Sequence, residues 1–171
     1  MVLERFGDAM AFKQRVNPDT QLNFGKNQKA AIMGDYPTLN DICAAYGKNF
    51  SAEWIVPHLV SLTLHTGAKN LTKEQLRELA KIISIEYRHL KVTEILLFFY
   101  KFKTGRYGRF YGSVDPMVIT CALREFISER NTLIDRFERE QKQEDDTNLK
   151  LQAMSREEWL EYKQQQEKQE V

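Results

Sequence analysis

Basic and aromatic side chains alternate in one short stretch of the chain. Residues 100–112 read YKFKTGRYGRFYG, so aromatic rings and three glycines separate four cations. Lys and Arg neutralise phosphates, and exposed rings stack on unpaired bases at roughly 1–3 kcal/mol per base. We therefore predict that this basic-aromatic loop binds nucleic acid, with single strands preferred because only unpaired bases expose their faces. Its expected contact residues are Lys101, Lys103, Arg106, Tyr107, Arg109 and Tyr111.

The local charge around the loop supports this prediction. Residues 88–109 contain six basic side chains and one acid, Glu94, in a chain whose net charge is only +1. The alternative is a tight connection between helices, in which the rings pack on the core and the cations stay in water. Aromatic residues form cores more often than platforms for bases, so both interpretations stay open at this point.

A second candidate surface lies near the C-terminus, where Trp159, Leu160 and Tyr162 fall within one helical turn. Residues 135–171 contain eleven acids and seven basic residues, which gives a net charge of −4. An acidic segment with an aromatic cluster can fold on a protein partner, and these three residues are the expected contacts. The alternative is a solvated, frayed end, because isolated helices are marginally stable in water.

The histidines and cysteines, which most often bind metals or act in catalysis, do not have the spacing or surroundings typical of such sites. His58 and His65 are seven residues apart, whereas zinc sites usually contain closer pairs. Cys43 and Cys121 occur among apolar residues on predicted helices and are expected to be small buried hydrophobic side chains. The chain contains no Walker A, GxSxG or GxGxxG motif. We therefore expect no catalytic residue, metal or cofactor, and a protein that is not an enzyme.

Length and composition favour one domain with appendages: the chain has 171 residues, of which 42% are hydrophobic and 29% charged. Two distant cysteines make a disulfide framework improbable. The longest apolar run, residues 95–100, is far shorter than the ~18 residues of a membrane span. These features predict a cytoplasmic protein that does not bind membranes.

The same apolar run sets the expected fold. Six consecutive apolar or aromatic residues predict a helix that is buried on every side. Thr72 and Gln75 form a capping box for the helix before it, and Asp115 with Pro116 signals the start of a long helix after it. No alternating strand pattern extends beyond a few residues. We therefore predict an all-α, compact multi-helix domain with a fully apolar central helix and a long C-terminal helix.

Three segments are expected along the chain. Residues 1–35 have no sustained apolar stripe, which predicts a flexible N-terminal arm that orders only by docking on the body or on a partner. Residues 36–137 form the helical core domain. Residues 138–171 form a charged helical tail, which residues 145–148 (DDTN) are expected to interrupt.

Two stretches, residues 91–99 (KVTEILLFF) and 102–116 (FKTGRYGRFYGSVDP), resemble a block in small uncharacterised proteins of bacterial mobile elements. This resemblance covers about residues 36–130. More loosely, the helical layout is similar to phage replication accessory proteins of the helicase-loader type. The resemblance implies a replication protein as partner and provides no catalytic residues. The AAA+ class of loader is excluded because the chain has no phosphate-binding loop. We expect a non-catalytic accessory protein that binds nucleic acid or a replication protein, or alternatively a protein adaptor that uses the long helix and the acidic tail.

Overall fold

The computed structural model describes residues 2–66, 71–108, 115–153 and 158–161. A 3-10 turn, Pro18–Thr20, lies between the second and third helices. The helices are α1 Val2–Phe6, α2 Ala9–Arg15, α3 Gln21–Lys26, α4 Gln28–Met33, α5 Leu39–Tyr46, α6 Phe50–Thr66, α7 Lys73–Glu86, α8 Val92–Lys103 and α9 Pro116–Ala153. The described residues contain no strand, so the predicted all-α class is confirmed. The chain divides into a first unit, residues 1–131, and a second unit, residues 132–171.

Helix α8 is the centre of the first unit. Residues 92–99 are all buried, each with at most 1% of its surface exposed. The helix packs against α3, α4 and α6. A helix without a polar side can satisfy this environment only inside a core, which confirms the expected central helix.

Two polar side chains in the first turn of α8 are nevertheless buried, and each has a partner. The Glu94 carboxylate forms an ion pair with Arg130 of α9 and accepts a hydrogen bond from the Lys91 backbone N–H at 2.8 Å. The Thr93 hydroxyl donates to the Ala31 carbonyl at 2.7 Å. A buried charge is tolerated when it is paired and hydrogen-bonded, so this turn ties α9 to α8.

The start of α8 also stabilises the end of α4. The last carbonyls of a helix have no partner within the helix. Lys91 Nζ donates to the carbonyls of Ile32 and Gly34, both at 2.8 Å, and the Thr93 hydroxyl donates to the Ala31 carbonyl. The KVTE sequence therefore connects three helices through hydrogen bonds.

Residues 2–35 are mostly helical and pack on the rest of the first unit, whereas the sequence predicted a flexible arm that orders only by docking on the body or on a partner. Phe12 is fully buried, and its ring centroid lies 5.4 Å from Tyr46, 5.6 Å from Phe50 and 6.2 Å from Trp54. The Trp54 indole N–H donates to the Val16 carbonyl at 2.6 Å. Helices α1–α4 are five to seven residues long, so each buries only one or two side chains. Such short helices show no apolar period in the sequence, although their few buried residues dock them firmly.

Helices α6 and α7 pack against each other, with Leu76, Leu79, Ala80 and Ile83 buried on α7. The predicted capping box is present: the Gln75 backbone N–H donates to the Thr72 hydroxyl at 3.2 Å, and the Gln75 side chain accepts from the Thr72 N–H at 2.9 Å. Pro57 lies inside α6, which continues past it.

Helix α9 begins as predicted, because the Asp115 carboxylate accepts from the Met117 N–H at 2.8 Å. The expected interruption at residues 145–148 is wrong, since the helix continues to Ala153. The Gln141 amide donates to Asp145 at 3.1 Å, and the Thr147 hydroxyl donates to the Gln143 carbonyl at 2.8 Å. These contacts across one turn satisfy polar side chains without breaking the helix.

Truncation of buried side chains on the central helix should destabilise the protein strongly. We expect Leu97→Ala and Phe98→Ala each to lower the free energy of unfolding by about 2–5 kcal/mol, through lost burial and a residual cavity. Ile85 is 69% exposed, so Ile85→Ala should change it by less than about 0.5 kcal/mol. Urea denaturation measures all three variants. Equal stability of Phe98→Ala and Ile85→Ala would contradict the central position of α8.

Candidate functional site

The end of α8 and the turn after it position the described part of the basic-aromatic loop. The turn follows Lys103, and Gly105 and Gly108 adopt φ angles of +78° and +98°. L-residues with a side chain are strained in this region, so glycine is required at both positions. Lys101, Lys103, Arg106 and Tyr107 are described, whereas Arg109 and Tyr111 lie outside the described residues.

One carboxylate on α9 holds two of the loop cations. Glu129 Oε2 lies 3.1 Å from Lys101 Nζ, and Glu129 Oε1 lies 2.9 Å from Arg106 Nε. Partial burial acts to raise the pKa of Glu129, but hydrogen bonds from these two cations outweigh it and keep the pKa below its usual value. Glu129 therefore neutralises part of the charge that the sequence concentrates here.

The exposure of the loop cations decreases toward the body of the unit. The Arg106 side chain is 63% exposed, whereas that of Lys101 is only 12% exposed. Lys103 is half-buried, and its amine donates to the Ser61 hydroxyl of α6 at 2.7 Å. Burial lowers the pKa of Lys103, since the charged form loses hydration. Arg106 is thus the described loop cation with the greatest access to solvent.

The Tyr107 ring packs on the core. Its centroid lies 5.9 Å from that of Phe98 and 6.1 Å from that of Phe102, and the residue is half-buried. Burial, together with the nearby Glu129 charge, raises the pKa of Tyr107. For this residue the geometry is that of an aromatic anchor that holds the turn against α8.

Sequence reasoning missed Glu129 because it follows Arg106 by 23 residues and belongs to another helix. The spacing between Phe126 and Glu129 on α9 could have indicated the position of Glu129. Phe126 is fully buried, and its ring lies 5.7 Å from Phe98. Glu129 is three residues later on the same helical face, which places it one turn further along the α8 contact.

A buried polar cluster lies on another side of α8. His58 is buried, its Nδ1 is 2.9 Å from the Gln21 side-chain amide nitrogen, and its ring stacks on Phe99 at 5.7 Å. Burial lowers the pKa of His58 to about 3, and the Lys103 charge acts in the same direction. His65, in contrast, is exposed, and its Nε2 lies 3.1 Å from the Lys103 carbonyl. Across the described ranges, no three His, Cys, Asp or Glu side chains approach closely enough to hold a metal ion.

The two cysteines occupy different environments. Cys43 is half-buried, and its thiol donates to the Ser51 hydroxyl at 2.9 Å. Cys121 is exposed, so the expectation of burial is wrong for this residue. On α9 the buried face is formed by Ile119, Leu123 and Phe126, and position 121 points away from it.

The second unit contains the described part of the expected partner surface. All residues from 138 to 150 are exposed on α9. Trp159 and Leu160 are 43% and 48% exposed, and Tyr162 lies outside the described residues. Arg136 and Glu140 form an ion pair at 3.4 Å across one helical turn of this segment.

Comparison with known proteins places the chain in a family. A model described as "Family of unknown function (DUF6633)" matches residues 70–170, which is 101 of the 171 residues. The matched region contains α7, α8, the loop and α9. No curated protein matches the chain. No solved structure matches it either.

Among the described helices, none is both long and apolar enough to cross a bilayer. The cytoplasmic location inferred from composition stays a prediction.

The buried His58 should make stability depend on pH. Its pKa is about 3 in the folded protein and near 6.5 when the chain unfolds, so the unfolded state takes up the proton first as the pH falls. The contribution of neutral His58 to the free energy of unfolding is complete above about pH 6.5. It declines by up to about 1.4 kcal/mol per pH unit toward pH 3. Urea denaturation between pH 8 and about pH 5 should show this slope in the wild type and a flatter one in His58→Gln. His89→Gln, an exposed control, should keep it. An unchanged slope in His58→Gln would contradict this assignment.

Proposed function

We propose that this chain, which belongs to the DUF6633 family of unknown function, is a non-catalytic adaptor that binds a protein partner through its C-terminal helix. The observation that carries the proposal is the unbroken exposure of residues 138–150 on α9. A helix that is polar all round has no buried face of its own and is marginally stable in water. A partner would supply the packing that stabilises it.

The charge and the apolar residues of the second unit indicate what kind of partner would be complementary to it. It contains eleven acids and seven basic residues, a net charge of −4, so a basic surface is complementary to it. Trp159 and Leu160 add exposed apolar anchors of the kind that contribute most binding energy in protein interfaces. The partner is thus expected to combine a basic rim with an apolar pocket. A replication protein is the class that the resemblance to helicase-loader-type proteins favours.

The state of the basic-aromatic loop supports the adaptor over nucleic-acid binding. Lys101 and Arg106 share Glu129, Lys103 donates to Ser61, and Tyr107 packs on Phe98. Each of the three cations has a hydrogen-bond partner within the first unit, and the Tyr107 ring has aromatic neighbours there. A phosphate would have to compete with Glu129 for its two cations, and the carboxylate would repel it.

Affinity capture tests the adaptor. Tagged wild type and Trp159→Ala/Leu160→Ala would be incubated with extract of the native cell, with and without nuclease, at low and high salt. We expect a captured protein that resists nuclease and is reduced at least tenfold by the double variant, because the anchors are lost. Leu64→Ala is the matched control, since Leu64 is 67% exposed in the first unit. Equal capture by the double variant, or capture only through nucleic acid, would contradict the proposal.

Nucleic-acid binding is the second candidate function, and two observations favour it. Residues 1–131 contain 18 basic residues and 13 acids, a net charge of +5. Arg106 is largely exposed, and a surface ion pair of this kind contributes at most about 1 kcal/mol, so a phosphate could displace Glu129. Single strands would be preferred if the aromatic residues of the loop stack on bases.

Fluorescence anisotropy with single-stranded and duplex oligonucleotides over a salt series tests this candidate. If the loop contacts phosphates, Glu129→Gln should tighten binding, because Lys101 and Arg106 lose their competing carboxylate. Arg106→Ala should weaken binding and reduce the single-strand log–log salt slope by about 0.7. Arg77→Ala, an exposed cation on α7, is the control. Absence of binding at low salt, or equal affinity of all variants, would leave the adaptor as the only candidate.

A further inference from the structure

Residues of the N-terminal segment line a cavity that is open to solvent and that the adaptor does not use. This N-terminal cavity has a volume of about 410 Å³ and lies where α1–α4 meet the start of α8. Small-molecule sites typically measure about 300–1,000 Å³, so the size is suitable for a ligand. Its lining combines the aromatic residues Phe6, Phe24 and Tyr36 with the polar residues Arg15, Asn23 and Asn27.

The elements around the cavity are held in place by the core. Thr93, which lines the cavity, donates its hydroxyl to the Ala31 carbonyl of α4. Gly25 brings α3 so close to α8 that a Cβ at this position would lie 2.4 Å from the Tyr100 ring. The close helix contact requires glycine, and it fixes the wall that α3 contributes. The cavity is therefore preformed, which lowers the entropic cost of binding.

Aromatic rings form the apolar part of the lining. The Phe24 and Tyr36 rings meet edge to face, with centroids 5.5 Å apart. Phe6 is buried, and 7% of its surface remains exposed. Rings with this arrangement favour contact with another planar ring.

Arg15 is the only charged residue among the described residues that line the cavity. Its Nη1 donates to the Arg5 carbonyl at 2.8 Å, which holds the guanidinium but uses only one of its five N–H groups. In the described part of the chain no carboxylate lies within ion-pair distance of Arg15. In this respect Arg15 differs from Lys101 and Arg106, whose charges Glu129 neutralises.

The amide side chains add hydrogen-bond donors. Asn27 caps α4, with its side-chain oxygen accepting from the Ala30 N–H at 2.9 Å. The cap occupies the oxygen and leaves the two N–H groups of the amide as donors. Asn23 lies one helical turn earlier. Together with Arg15, these residues give the lining an excess of donors, which suits a ligand rich in acceptors.

We propose that the N-terminal cavity binds a small molecule in which a planar aromatic ring carries an anionic group. The ring packs against Phe24 and Tyr36, Arg15 pairs with the anion, and Asn27 donates to acceptors on the ligand. Mononucleotides and aromatic carboxylates share this chemistry. Either would bind independently of the partner on the C-terminal helix.

Isothermal titration calorimetry on the full chain tests the proposal. The probes are the four ribonucleoside monophosphates and 4-hydroxybenzoate, which distinguish the two sources of the anion. Adenosine supplies a ring alone and inorganic phosphate an anion alone. We expect at least one complete probe to bind with a Kd below about 1 mM, and both partial probes to bind at least tenfold more weakly. If no complete probe binds, or if phosphate alone binds as well, the proposal is wrong.

Charge variants locate the site. Asn27→Asp keeps the helix cap, because Asp and Asn cap equally well, but introduces a negative charge into the lining. It should weaken binding at least tenfold, as should Arg15→Gln, which removes the positive charge. Asn40→Asp makes the same substitution at an exposed position outside the cavity and should stay within about twofold of the wild type. Equal weakening by Asn27→Asp and Asn40→Asp would overturn the assignment of the site.

Discussion

The first unit depends on one buried carboxylate. Glu94 is fully buried in the first turn of the central helix, where an unpaired charge would be strongly destabilising. The Arg130 guanidinium and the Lys91 N–H satisfy it. Arg130 belongs to the part of α9 in the first unit, so this pair, together with the contact between Phe126 and Phe98, holds that part of α9 against α8 next to Glu129. The same turn holds α4 through Lys91 and Thr93, and Thr93 also lines the N-terminal cavity.

Whether a cation in this protein is paired with a carboxylate depends more on the tertiary contacts of that cation than on the local sequence. The basic-aromatic loop concentrates positive charge, but its three described cations all have partners inside the first unit. Arg15 belongs to an unremarkable stretch of sequence, yet it lines a cavity without a carboxylate partner. Acidic residues outnumber basic ones in the second unit, and residues 138–150 are all exposed to solvent. The two units thus carry net charges of opposite sign.

Buried polar contacts give the core its specificity. His58 contacts Gln21 and stacks on Phe99, while the Trp54 indole is bonded to the Val16 carbonyl. These groups join the N-terminal segment to α6 and α8 by directional contacts that apolar packing alone would not define. A neutral imidazole is required in this place, because burial penalises its charged form. The fold is therefore sensitive to acid at a position that has no part in the proposed functions.

Local sequence determined the helical class, the buried central helix and the helix starts at Thr72 and Asp115. These features depend on side chains within a few residues of one another, such as six apolar neighbours or a capping hydrogen bond to the third residue. The residues of the candidate loop were also identifiable by type and spacing. Tertiary structure decided the docking of residues 2–35, the exposure of Cys121, the pairing of Lys101 and Arg106, and the cavity around Arg15. Each of these depends on which distant helix packs alongside, and that choice follows from burying apolar surface and pairing Glu94 with Arg130, 36 residues away in the chain.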